Sequence, residues 1–203
     1  MPAWLHLQPS RLFKFMQDLN NTIQRCIKGD RKAQQILYEK HFHFLMSILY
    51  RYEHNQQDAV ALLNQAFLNI ITHLKSFDQS KPFLPWIKRI AINVALDHIR
   101  SHKKIKAQTV LMDDQNWEVQ TELFEDDLTD IPELEYEDYL NMMDSLDEPA
   151  KTIFNLYAID DYSHNEIAAK LDISERTSKR YLRKARAALQ HMIAAKTILM
   201  KGA

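Results

Sequence analysis

The chain has 203 residues, 46% of them hydrophobic, which is enough for one large core or two small ones. It has only two glycines and no run of alternating β-branched residues, which argues against sheets and glycine-rich nucleotide loops. The single cysteine, Cys26, excludes an internal disulfide and a cysteine-based zinc site. These features together predict an all-α protein.

The formal net charge of -1 hides three blocks of opposite sign. Residues 1–106 hold 16 Lys and Arg against 7 Asp and Glu, and residues 149–203 hold 10 against 5. Residues 107–148 hold 15 acidic residues and no basic residue. Two basic blocks around an acidic block favour a nucleic-acid partner at each end of the chain.

The start of the chain, MPAWLHLQPSRLFKF, lacks a signal-peptide core and a small-residue cleavage site. No apolar run approaches the ~20 residues that are needed to span a bilayer. We therefore expect a cytoplasmic protein with no membrane insertion. Residues 1–21 are treated as an N-terminal extension, for which the sequence indicates no role.

The first predicted domain covers residues 22–106. Within it, residues 20–51 have the pattern of two helices that are separated at the sequence Lys-Gly-Asp. Gly29 suits the position just after a helix, and Asp30 suits the N-cap of the next helix. The pattern therefore predicts a sharp break between two helices at these residues.

Two further helices are predicted in this domain. Residues 58–75 carry apolar side chains at helical spacing. The sequence KPFLP at residues 81–85 then breaks the chain, and a fourth helix runs roughly from Trp86 to His102. Lys and Arg side chains make this fourth helix cationic.

Four histidines of the first domain raise the possibility of a metal site: His41, His43, His54 and His73. His41 and His43 are two residues apart, which places them on different faces of a helix, and no H-E-x-x-H motif is present. No Ser/His/Asp or Cys/His arrangement can be identified either. We expect no metal, no cofactor and no catalytic residue.

Residues 107–134 lack regular apolar spacing and are strongly acidic. This composition predicts a flexible linker. The linker could also fold back onto the basic domains and compete with DNA, an alternative that the sequence leaves open.

The second predicted domain, residues 135–203, contains a helix-turn-helix pattern. Ser163 and Glu166 form an S-x-x-E capping box, and the helix that they open is expected to end at Leu171. Asp172 begins the turn, and Ser174 is a good N-cap for the next helix. One face of that helix is expected to be buried, with Ser178, Leu182, Ala185 and Leu189. The other side carries Lys and Arg without an acidic residue among them, which is typical of a DNA-reading helix.

The order of these motifs resembles that of the extracytoplasmic-function group of bacterial RNA polymerase sigma factors. The resemblance covers about residues 22–104 and 140–192, and rests on K-G-D at 28–30, Q-A-F-L at 65–68, L-K-S-F at 74–77 and the helix-turn-helix at 163–189. Its most specific part is W-x-x-R-I-A-x-N-x-x-x-D-x-x-R, formed by Trp86, Arg89, Ile90, Ala91, Asn93, Asp97 and Arg100.

The resemblance implies two small helical domains, σ2-like and σ4-like, joined by the acidic linker. The implied function is that of a transcription initiation factor that does not catalyse. The σ2 domain of the family binds the β′ clamp helices of core RNA polymerase and melts the −10 element. The σ4 domain binds the β flap and reads the −35 element of promoter DNA. Many members are also held inactive by an anti-sigma factor.

Site residues follow from the helix-turn-helix register and from the resemblance. For the −35 element, we expect Lys179, Arg180, Arg183 and Lys184 to enter the major groove, with Arg176, Thr177 and Arg186 nearer to phosphates. For the −10 strand, the candidates are Lys81, Trp86, Lys88, Arg89, Asn93 and Arg100. For the polymerase, the candidates are Gln65, Leu68 and Asn69.

The sequence departs from the family pattern at several positions. Val60 and Ala61 stand where the family has an acidic pair, and Asp172 replaces the glycine of the helix-turn-helix turn. A glycine before Ser163 is also replaced, and Ser178 stands where the family prefers an apolar residue. These departures bear on promoter sequence and polymerase affinity more than on the fold.

Two other functions are compatible with the same sequence motifs. A sigma mimic would sequester an anti-sigma factor without touching DNA, but the retained cations of both domains argue against it. A dimeric helix-turn-helix repressor would leave the cationic fourth helix of the first domain unexplained. Promoter-specific transcription by core polymerase would distinguish these alternatives.

Overall fold

A computed structural model of the chain describes residues 9–102 and 136–201. The chain divides into two compact units, residues 1–98 and 99–203. All the regular elements of the described residues are helical, which confirms the predicted fold class. The predicted acidic linker, residues 107–134, lies outside the described residues, and the domain boundaries remain predictions.

Four helices form the first part of the chain. They are α1 (Pro9–Ile27), α2 (Arg31–Leu49), α3 (Gln56–His73), which is followed by a 3-10 turn (Leu74–Ser76), and α4 (Phe83–His102). Helix α2 packs against both α1 and α3. The fully buried side chains come from all four helices and include Ile23, Leu37, Leu45, Leu63, Ile70, Ile87 and Ile92.

The break between α1 and α2 is formed as the sequence predicts. Gly29 has a φ of 83°, a left-handed conformation that glycine adopts at little cost. The Asp30 carboxylate caps α2 by accepting hydrogen bonds from the backbone N–H groups of Lys32 (2.9 Å) and Ala33 (3.1 Å). It also pairs with Arg25 at 2.7 Å, and this hydrogen bond lowers the pKa of Asp30.

Helices α1, α3 and α4 begin earlier than predicted, and α1 begins at Pro9, within the segment treated as an N-terminal extension. Asn55 caps α3, since its side-chain oxygen accepts hydrogen bonds from the backbone of Gln57 and Asp58. Helix α4 begins at Phe83, so the break before it ends at Pro82. Pro85 then lies in the first turn of α4, where no backbone N–H is needed and a proline is tolerated.

The second unit contains the helix-turn-helix and its supporting helices. These are α5 (Tyr136–Asp144), α6 (Glu148–Phe154), a π-helical turn (Asn155–Ile159), α7 (His164–Leu171) and α8 (Glu175–Lys201). Helix α8 packs against α5, α6 and α7. The position of α8 is therefore fixed by contacts within its own unit.

The caps of the helix-turn-helix match the sequence expectations. The capping box of Ser163 and Glu166 is present, and α7 ends at Leu171. Asp172 takes the left-handed conformation, with φ 55° and ψ 48°, that the turn requires. The Ser174 hydroxyl accepts a hydrogen bond from the Thr177 N–H at 2.9 Å and so caps α8.

Three ion pairs join lysines of α6 and α8 to acidic residues near the start of the unit. Lys151, only 5% exposed, lies 2.8 Å from Asp144. Lys184 pairs with Asp147, which also caps α6, and Lys196 lies 2.9 Å from Asp138. A charge as buried as Lys151 needs such a partner, so these ion pairs tie α5 and the α5–α6 loop to α6 and α8.

Candidate nucleic-acid interface

The exposed face of α8 is strongly cationic. Arg176, Lys179, Arg180 and Arg183 line one shallow cleft together with Glu175. The opposite face is buried through Ser178, Leu182 and Ala185, whereas Leu189, which was also expected to be buried there, is half-buried. Because the two faces are separated by the helical period, the buried side fixes which cations point outward.

The cations of this cleft differ in their surroundings. Lys179 forms an ion pair with Glu175 at 2.7 Å, which lowers the pKa of Glu175. The Arg180 guanidinium lies 5.6 Å from the centre of the Tyr181 ring and is half-buried. Arg176 and Arg183 are exposed. The cleft therefore presents two exposed arginines, one arginine that lies near an aromatic ring and one lysine that is paired with Glu175.

The other three residues predicted for the −35 element lie outside this cleft lining. Thr177 is 3% exposed, and its hydroxyl lies 2.7 Å from that of Ser174 inside the cap of α8. Lys184 forms the pair with Asp147 described above. The Arg186 guanidinium lies 5.7 Å from the centre of the Tyr157 ring. The structure thus brings four of the seven predicted residues together.

A second polar surface runs along α4. Trp86, Arg89, Asn93 and Arg100 are separated by three, four and seven residues and so share one face of the helix. Lys88 projects from a different side of α4 and is half-buried. Lys81 precedes the helix and lies 3.7 Å from Asp78. The six predicted −10 residues therefore divide into one stripe of four and two separate lysines.

Trp86 also belongs to an aromatic cluster at the start of α4. Its ring lies 4.9 Å from that of Phe77 and 5.6 Å from that of Phe83, which in turn contacts His41. Trp86 is half-buried. One side of the indole therefore packs on the core while part of it remains at the surface that carries Arg89 and Asn93.

The predicted polymerase-binding residues lie on one face of α3. Leu68 is 59% exposed, and the Gln65 side chain donates a hydrogen bond to that of Asn69 at 3.2 Å. Ala61 lies on the same face and is exposed. A large exposed apolar side chain among uncharged polar ones is typical of a protein-binding surface.

Two residues that sequence analysis did not single out lie beside α8. The His164 Nδ1 atom lies 2.8 Å from the hydroxyl oxygen of Ser178, and the His164 ring stacks on Tyr157 at 4.5 Å. The available signal was Ser178, a polar residue on a face that is otherwise apolar. Ser178 is fully buried, so its hydroxyl needs a partner, but the sequence alone does not name one.

Two of the four histidines considered for a metal site bond to backbone carbonyls of their own helices. His41 is buried, and its Nδ1–H donates to the Leu37 carbonyl oxygen at 2.8 Å; burial lowers the pKa of this imidazole. His73 makes the same bond to the Asn69 carbonyl. Across residues 9–102 and 136–201, no group of three or more His, Cys, Asp or Glu could hold a metal ion. None of the helices in these ranges has the length and apolar character of a membrane span.

Two family models match the chain. Sigma-70 region 2 matches residues 37–105, which include α3 and α4, and Sigma-70 region 4 matches residues 136–189, which include the helix-turn-helix. The two matches together span more than half of the chain. The first match contains the α3 face and the α4 stripe, and the second contains the α8 cleft.

The chain is also similar to individual proteins. It is 31% identical over 77 residues to the RNA polymerase sigma-H factor of Pseudomonas aeruginosa, which is 38% of this chain and 40% of that protein. It is 26% identical over 178 residues to the ECF RNA polymerase sigma-E factor of Escherichia coli K12, or 84% and 92% of the two proteins. A solved structure of the sigma factor RpoE with the anti-sigma factor NepR from Bartonella quintana is 15% identical, with a TM-score of 0.48, over 79% of this chain and 96% of that one.

Proposed function

This chain belongs to the sigma-70 family of RNA polymerase sigma factors, in its extracytoplasmic-function group, and we propose that it directs core RNA polymerase to specific promoters. Its first unit binds the β′ clamp helices and opens the −10 element, and its second unit binds the β flap and reads the −35 element. Sigma factors in general are not enzymes, and we assign this chain no catalytic step. Its place of action is the cytoplasm, where core polymerase and promoter DNA are found.

The observation that carries this proposal is the pairing of two different surfaces on two matched regions. A cleft lined by four cations lies on a helix-turn-helix, where a duplex groove would be read. A stripe with two arginines, an asparagine and a tryptophan lies on α4, and such side chains hold single-stranded DNA. A repressor needs only the first surface, whereas an initiation factor uses both.

The direct test is transcription in vitro. Core polymerase alone and core polymerase with the full chain are given the same fragmented genomic DNA, and the 5′ ends of the transcripts are mapped. We expect new start sites that share −10 and −35 elements. Transcripts with the same start sites in both reactions would refute the proposed function.

A more specific prediction concerns −35 reading. We expect Arg180→Ala and Arg183→Ala each to weaken −35 binding and to relax preference at one or two bases, because a bidentate Arg–guanine contact is worth about 1–3 kcal/mol. Binding of the holoenzyme to a library with randomised −35 positions measures both effects.

Lys184→Ala is the matched control, since it removes a cation of the same helix that pairs with Asp147. We expect this variant to keep the wild-type base preference. If it relaxed base preference as Arg183→Ala does, Lys184 would leave Asp147 when DNA binds. If neither arginine variant changed base preference, the cleft would not be the reading surface.

A further inference from the structure

His164 links the two helices of the helix-turn-helix. It is the first residue of α7, and its Nδ1 atom lies 2.8 Å from the Ser178 hydroxyl of α8. Its ring stacks on Tyr157 at 4.5 Å with an angle of 23° between the ring planes, and Arg186 lies over the same tyrosine. These contacts fix the orientation of the imidazole before any ligand binds.

The position of the His164 imidazole in the helix-turn-helix places it near the expected path of a DNA strand. Ser178 is fully buried, so the Nδ1 edge of the ring faces inward, while the histidine as a whole is only half-buried. The Nε2 atom lies on the other edge of the ring. In a helix-turn-helix, the first helix crosses the DNA backbone while the start of the second enters the groove. A residue at the start of α7 that bonds to the start of α8 therefore lies at the edge of the groove, where phosphates run.

The charges around His164 are mostly positive. From α8, Lys179 and Arg186 face it with positive charge and Glu175 with negative charge, and Tyr157 covers one side of the ring. On its own helix, Glu166 turns back to Ser163 in the capping box. Burial, followed by the charges of Lys179 and Arg186, lowers the pKa of His164. The positive charges of Lys179 and Arg186 thus disfavour protonation of the imidazole in the free protein, and an anion placed there would favour it.

We propose that His164, Lys179 and Arg186 bind a backbone phosphate of promoter DNA beside the −35 element, and that His164 takes up a proton from solvent when the phosphate binds. In the complex, Nδ1–H donates to the Ser178 oxygen and Nε2–H donates to the phosphate. This inference rests on the proposed function, because it assumes that α8 reads promoter DNA. It adds His164 as a pH-dependent backbone contact to the base-reading cleft.

The test compares promoter binding by wild type and His164→Gln at about pH 6 and about pH 8, on either side of the ordinary pKa of histidine. Each full chain is assembled with core polymerase, and the probe is a duplex recovered from random-sequence DNA by selection on the wild-type holoenzyme. Because protonation of His164 accompanies phosphate binding, the wild type should gain up to about tenfold in affinity at the lower pH relative to His164→Gln. At the lower pH, the slope of log affinity against log salt concentration should also be steeper by about 0.9 for wild type than for His164→Gln. This is the difference expected for one additional phosphate contact.

His191→Gln is the matched control, because His191 is an exposed histidine of α8 that is not part of this cluster. It should keep the wild-type pH response. Thermal unfolding at both pH values checks that His164→Gln is folded; if it is not, His164→Asn, which preserves a hydrogen-bonding group near Ser178, takes its place. An unchanged pH response in the folded His164 variant, or an equal loss in His191→Gln, would overturn the inference. If selection on the wild-type holoenzyme enriched no duplex at either pH, that result would instead count against the proposed function.

Discussion

Holoenzyme that carries Arg89→Ala with Asn93→Ala should bind duplex −35 DNA like wild type and fail to open the promoter. Both side chains lie on the exposed stripe of α4 that also carries Trp86 and Arg100. A strand that leaves the duplex loses stacking and pairing worth a few kcal/mol per flipped base, and cationic and hydrogen-bonding side chains must offset this loss. Removing two of the four side chains of the stripe weakens the hold on the unpaired strand, so the closed complex is expected to accumulate.

Permanganate reactivity of −10 thymines measures opening, and filter binding to the same promoter measures the closed complex. Lys88→Ala is the matched control, since it removes a cation from a different side of the same helix. Normal thymine reactivity in the double variant would exclude this stripe from strand capture. A loss of reactivity in Lys88→Ala alone would mean that the strand wraps further around α4 than the stripe.

The features that could be predicted from the sequence are those set by neighbours in the chain. Gly29 and Asp30 end one helix and begin the next through contacts within five residues, and the Ser163 capping box acts within three. The spacing of buried residues on α8 identified its outer face for the same reason. Local rules therefore located the helices, the turn and the cationic face of the second unit.

The features that could not be predicted depend on residues far apart in the chain. Lys184 pairs with Asp147 across 37 positions, and His164 meets Ser178 across 14. Read in the sequence, neither residue of a pair identifies its partner. The packing of α6, α7 and α8 brings the two members of each pair together. The number of cations on α8 could therefore be read from the sequence, but which of them pair with other residues of the protein could not be predicted.

A substitution on the exposed face of α3 should strongly weaken binding to core polymerase. We expect Leu68→Asp to reduce this binding at least tenfold, or by about 1.4 kcal/mol. Leu68 is 59% exposed, so the substitution should leave the fold of the first unit intact. In the complex, the new carboxylate would be buried without a partner among uncharged side chains, which is unfavourable. Competition of labelled wild type against each variant for core polymerase measures the effect, and circular dichroism checks the fold.

Ile36→Asp is the matched control because Ile36 is an exposed isoleucine, 44% accessible, on α2 rather than on the α3 face. It places the same charge at an apolar position of the same unit and should compete like wild type.

The α3 face carries Ala61 where the family has an acidic residue, so wild-type binding there should also depend weakly on salt. Ala61→Glu adds one charge to this face and should steepen that dependence if the clamp helices present cations. If Leu68→Asp competed as well as wild type, the polymerase contact would lie elsewhere. A steep salt dependence of wild-type binding would show that charges outside this face dominate the contact.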